Sequence, residues 1–268
     1  MIRCVFDRAR LGSNPGALLA AGVVAFAFHA PLIHAQQAPA AAPAKQSPVV
    51  AVQIDPLRTD WPNLKRFYEE DVALGAPKPG EKRVVFMGDS ITQGWIHHGV
   101  PVEPADPAKD YVNRGISGQT TPQMLLRFRQ DVIDLKPAAV VIFAGINDIA
   151  GNTGDMTPEQ TEGNLESMAQ LARVNGIRVV FCSITPAFDF PWKPGRVPAP
   201  KVVAINKWIK DYAASHGDVY VDFYSAMVDG RGGLPEKLSH DGVHPNPAGY
   251  AIMTPLVDAG IAQALGGK

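Results

Sequence analysis

The sequence predicts an α/β domain: a parallel sheet of five strands covered by helices on both faces. Two observations lead there. Five short apolar, β-branched runs recur along the chain, and most are continuous rather than alternating, as strands buried on both faces should be. Between them lie segments with helical periodicity and helix start signals, and strands alternating with helices argue a parallel sheet.

In chain order, a helix near Asn63 to Leu74 precedes the first run, "RVVFM" (Arg83 to Met87). The second run is "YVN" (Tyr111 to Asn113). Thr121 and Pro122 then open a helix as N-cap and first-turn proline. Met124, Leu125, Phe128, Val132 and Leu135 give it one apolar face, and Pro137 stops it. The third run is "AAVVIFAG" (Ala138 to Gly145). Thr157 and Gln160 have the spacing of a capping box at the start of the next helix, and Gly176 marks its end. "RVVFCSI" (Arg178 to Ile184) and "VYVDFY" (Val219 to Tyr224) complete the strands. Helices are expected over Val202 to Ser215 and over Pro247 to Leu265, the latter capped by Asn246.

The termini and composition narrow the class. Arg3, Arg8 and Arg10 precede an apolar stretch from Ala17 to Ile33 that closes on small residues at Ala35, which reads as an export signal over residues 1–35. His29 and Pro31 interrupt that stretch short of the roughly 20 apolar residues of a membrane span, so no stable anchor is expected after cleavage. Residues 36–49 form an Ala/Pro-rich leader, and a single domain fills 50–268. The expected location is periplasmic or extracellular. The whole chain has 25 Lys and Arg against 26 Asp and Glu; without residues 1–35 the balance is 22 against 25, and no basic tract recommends nucleic acid as a partner. Cys182 lies among strand formers and reads as a small buried residue.

In a parallel sheet, ligands bind beyond the carboxyl ends of the strands. The loops there hold Gly88-Asp89-Ser90, Arg114-Gly115-Ile116-Ser117-Gly118, Gly145-Ile146-Asn147-Asp148 and Asp241-Gly242-Val243-His244-Pro245. A serine hydroxyl needs a base to take its proton, and the base needs a third group to orient it. Ser90, His244 and Asp241 fill those roles, with Asp241 and His244 three residues apart on one turn. Oxyanion donors are expected from the Ser90 and Gly115 amides and the Asn147 side chain. Asp89 and Asp148 read as turn-stabilising partners, and His240 is a rival for the base. His97 and His98 share no helical face and suggest no metal site, and no metal or cofactor is implied. The Pro-rich loop Thr185 to Lys201 carries Phe188, Phe190 and Trp192, which could form a substrate-contacting wall.

These four blocks, in this order, resemble the SGNH hydrolases, also called GDSL esterases/lipases. The resemblance covers Arg83 to Leu265 and departs from the name-giving pattern only in Ile91, where that pattern has Leu. It implies a flavodoxin-like three-layer αβα sandwich. It implies Ser90 as nucleophile, His244 as base, Asp241 as its orienting acid, and Ser90, Gly115 and Asn147 as the oxyanion hole. The expected function is an exported serine esterase acting on short-chain or acetyl esters, carbohydrate-linked among them. A lysophospholipase or thioesterase, or a silent glycan-binding module, are the alternatives.

Overall fold

The computed structural model describes residues 59–95 and 109–266. The expected signal, the leader and His97-His98 lie outside them.

Five strands form one sheet: β1 (Val84–Gly88), β2 (Tyr111–Gly115), β3 (Ala139–Phe143), β4 (Arg178–Cys182) and β5 (Val219–Val221). All pairings are parallel and the order is β2-β1-β3-β4-β5. Each strand overlaps a predicted run, β1 and β2 continuing one and two residues past the end of theirs, because an unbroken β-branched run is stable only where both faces are covered. The helices are α1 (Tyr68–Leu74), α2 (Ser90–Gly94), α3 (Thr121–Asp131), α4 (Ile146–Ala150), α5 (Pro158–Val174), α6 (Pro198–His216), α7 (Phe223–Met227) and α8 (Pro247–Ala264).

Both faces of the sheet are covered. Gly260 of α8 sits over Val180, Val219 and Val221, whereas the next residue along β4, Phe181, meets Tyr212 of α6 edge-on at 6.0 Å. Neighbouring side chains on a strand point to opposite faces, so α8 and α6 occupy opposite layers. Trp95 fills the α8 side, with Phe86, Phe223 and Tyr250 around it and its indole N–H donated to Thr254 Oγ1 at 3.0 Å. Cys182 is buried.

The helix boundaries follow local chemistry. Thr157 and Gln160 form the expected capping box on α5, and Asn246 Oδ1 accepts from the Ala248 and Gly249 amides at the start of α8. On α3 the cap is Thr120, one residue before the expected Thr121, and Gln123 Oε1 accepts from its amide at 3.1 Å. Pro198 opens α6 four residues before the expected start, which shortens the Pro-rich loop.

The segment before α1 departs most from expectation. Asn63 takes a left-handed φ of 59°, so no helix can start there, and α1 begins only at Tyr68. Residues 61–64 instead lie along α3, where three glutamines hold their carbonyls. Gln123 Nε2 donates to Trp61 O at 2.8 Å, Gln119 Nε2 to Pro62 O at 2.8 Å and Gln130 Nε2 to Leu64 O at 2.6 Å.

Candidate active site

Ser90 opens α2 directly after the end of β1, with the Asp89 carboxylate capping the turn by accepting from the Ile91 amide at 2.9 Å. Across from it, His244 stands on the loop before α8. Ser90 Oγ and His244 Nε2 are 2.9 Å apart, and His244 Nδ1 is 2.6 Å from Asp241 Oδ2. The other Asp241 oxygen accepts from the His244 amide at 2.8 Å, the Val243 amide at 2.9 Å and the Ser239 hydroxyl at 3.1 Å. Partial burial pushes the Asp241 carboxyl up, but the bonds from the His244 ring and the His244 and Val243 amides outweigh it, leaving the group below the usual range and ionised. A hydroxyl bonded to an imidazole whose far nitrogen is fixed by a carboxylate can hand over its proton and attack. His240 is exposed and bonds to neither Ser90 nor Asp241.

The surroundings of the hydroxyl supply donors for an oxyanion, though not the expected set. The Ser90 amide makes no hydrogen bond. Gly115 is a correction: its buried amide donates to Asn113 Oδ1 at 2.8 Å and is spent inside the fold. A Cβ at Gly115 would lie 2.2 Å from the Gln93 amide nitrogen, so glycine is needed there for α2 to approach β2 closely. Three residues on, Gly118 at φ +76° has an amide without a partner, while its carbonyl accepts from Asn152 Nδ2 at 3.2 Å. Asn147, in the first turn of α4, donates both amide hydrogens, to Gln119 O at 3.0 Å and to Asp89 Oδ2 at 3.2 Å. Its oxygen accepts from Asn152 Nδ2 at 2.9 Å.

A buried cation ties these parts together. The Arg127 guanidinium pairs with Asp131 at 2.8 Å, donates to Gly88 O at 3.0 Å and to Gln119 Oε1 at 2.6 Å. It therefore fixes the end of the serine strand against the loop that carries Gly118.

Of the expected aromatic wall, only Trp192 reaches the site. Its ring lies 5.9 Å from that of His244, with 43% of the residue exposed. Phe190 is fully buried under Trp192 at 5.3 Å and offers no surface to a substrate. Phe188 is exposed, with the Arg231 guanidinium 5.4 Å over its ring. Alternating chain direction in an irregular loop sent these three to different places, which composition could not foretell.

The pattern that describes the GDSL-like lipase/acylhydrolase family matches residues 86–252, spanning the strand, loops and helix that carry this geometry. The chain belongs to that family. A GDSL-like lipase from Bacteroides thetaiotaomicron has the same fold with a TM-score of 0.73 and 45% identity, over 76% of this chain and all of that one. Esterase TesA of Pseudomonas aeruginosa is 33% identical over 172 residues, 62% of this chain and 77% of its own. An acetylxylan esterase of Geobacillus stearothermophilus is 27% identical over 207 residues, 65% of this chain and 90% of its own. The esterase relatives make this GDSL-family chain a carboxylic ester hydrolase. Among the described residues, no group of three or more His, Cys, Asp or Glu is placed to hold a metal ion.

Two buried carboxyls of the GDSL-family site have consequences for stability. Burial pushes Asp89 up to about 7, against the opposing pull of the Ile91 amide and the His244 charge. Burial likewise pushes Asp148 up to about 6, although Thr121 and Thr161 donate to it. The folded chain therefore holds more protons than the unfolded one between the ordinary aspartate range and pH 7. Stability should fall as pH rises through that window, by on the order of 4 kcal/mol for Asp89 alone. Asp241 acts in the opposite sense, its contribution being lost only as pH falls through its lowered value. Urea unfolding at pH 5 and pH 8 should show the decline, and Asp89→Asn should flatten it whatever its effect on absolute stability. An unchanged slope in that variant would remove Asp89 as the source.

Proposed function

We propose that this protein is a serine esterase that removes short acyl groups, acetyl foremost, from an alcohol such as a carbohydrate. The carrying observation is the unbroken chain Ser90 Oγ, His244, Asp241, with 2.9 and 2.6 Å between its members. His244 takes the Ser90 proton as Oγ attacks the ester carbonyl. The tetrahedral oxyanion is held by the Ser90 and Gly118 amides and by Asn147, which exchanges its long bond to Asp89 for one to the oxyanion and keeps its bond to Gln119. Collapse passes the proton from His244 to the leaving alcohol and leaves an acyl group on Ser90. Water, deprotonated by His244, then reverses the sequence and frees the acid.

Trp192 beside His244 supports a short acyl group, since its ring crowds the approach to the base. The acetylxylan esterase relative supports an acetylated carbohydrate. The Arg-rich, then apolar, N-terminal residues support action outside the cytoplasm. A series of p-nitrophenyl esters provides the test. kcat/KM should be greatest at acetyl or butyryl and fall roughly tenfold or more by octanoyl, within the range that pocket contacts command. A maximum at long chains would replace this reading with the lysophospholipase or thioesterase one.

A further inference from the structure

Trp61 stands outside the residues matched by the family, yet it borders the loop of Gly118. The residue is 38% exposed, and its indole N–H makes no hydrogen bond among the described residues. Trp61 lines a cavity of about 490 Å³ together with Asn63, Ser117, Gly118 and Asn152 among others. It also lines a second, more open one of about 460 Å³ that reaches Asp155, Glu159 and Asn164. Trp61 and Thr153 line both, so the two cavities adjoin at the indole, and the first also reaches Gly118, the proposed oxyanion donor.

The position of Trp61 is built rather than incidental. The Trp61 carbonyl is fixed by Gln123, the next carbonyl by Gln119, and Gln119 is itself held by the buried Arg127. The same residue, Gln119, accepts the Asn147 amide on its own carbonyl. The aromatic platform and the oxyanion loop are thus registered to each other through one side chain.

We infer that Trp61 is the stacking platform of a carbohydrate subsite, in which the sugar chain bearing the ester runs from Gly118 across the indole toward Asn164. A pyranose presents an apolar C–H face, which an indole can cover, and a rim of hydroxyls. The Asn63 side-chain amide, the Ser117 hydroxyl and the Asn152 side-chain oxygen line the first cavity with the indole and supply partners for that rim. Among the described residues, Ile116 and Met156 are the only long apolar chains, branched or unbranched, lining the two cavities, too few to sheath an acyl chain. Two adjoining cavities suit an oligosaccharide better than a single sugar.

This subsite rests on the esterase reading of Ser90, and the test separates the two. Wild type and Trp61→Ala would be assayed on p-nitrophenyl acetate, on acetylated xylo-oligosaccharides of two to six residues and on a lysophospholipid. In the wild type, kcat/KM should rise with sugar chain length. In Trp61→Ala the ratio of kcat/KM on the hexamer to that on p-nitrophenyl acetate should fall roughly ten- to a hundred-fold, and Trp61→Phe should recover most of it. An unchanged ratio, or a loss confined to the lysophospholipid, would overturn the carbohydrate subsite while leaving the esterase intact. Failure of the folded wild type to hydrolyse p-nitrophenyl acetate would instead overturn the esterase reading.

Discussion

Replacing Ser90 with Ala should lower kcat by on the order of ten-thousand-fold or more, and His244→Ala should do the same, with the double variant scarcely slower than either single one. The reason is geometric. Ser90 Oγ has a single path for its proton, the 2.9 Å contact to His244 Nε2, and the ring is held in place by Asp241 at 2.6 Å. Once either end of that path is gone, removing the other has nothing left to interrupt. His240→Ala should remain near wild type, because His240 is exposed and bonds to neither partner. Steady-state kinetics on p-nitrophenyl acetate decide this. A dead His240→Ala beside an active His244→Ala would move the base.

The second large effect is expected at Asn147. Asn147→Ala should cost roughly a hundred- to a thousand-fold in kcat with KM little changed, since a donor to the oxyanion acts only in the transition state. The residue also holds the Gln119 carbonyl at 3.0 Å and so fixes the loop of Gly118. Both contributions fall on kcat. A rise in KM with kcat preserved would mean that Asn147 serves substrate binding, and normal kcat in a protein that merely melts earlier would reduce it to a structural bond.

Much of this was readable from the chain, and what was not has identifiable causes. Strands buried on both faces must be apolar throughout, so all five runs announced themselves, and the loops after them collected Ser90, Asn147, Asp241 and His244. The direction of a backbone amide is different. Gly115 and Gly118 are equally plausible donors in "RGISG", and only the fold shows Asn113 Oδ1 capturing the Gly115 amide. A signal did exist: Gly118 lies just before the Thr120 cap of α3, where a left-handed turn is useful. The aromatic loop was ambiguous for a similar reason. Irregular chain has no period, and nothing in the order Phe188, Phe190, Trp192 states that the middle one enters the core. The expected helix start near Asn63 fails for a different reason: residues 61–64 are held by Gln119, Gln123 and Gln130, some sixty residues away in the chain.

The central claim is that Ser90 is a nucleophile activated by His244. Incubating the full folded chain with a fluorophosphonate and locating the adduct by mass spectrometry tests it most directly. The expected result is one adduct per chain on the peptide containing Ser90, absent from Ser90→Ala and formed far more slowly by His244→Ala. An adduct on another residue, or none at all from the folded wild type, would contradict the account and favour a fold kept for binding alone.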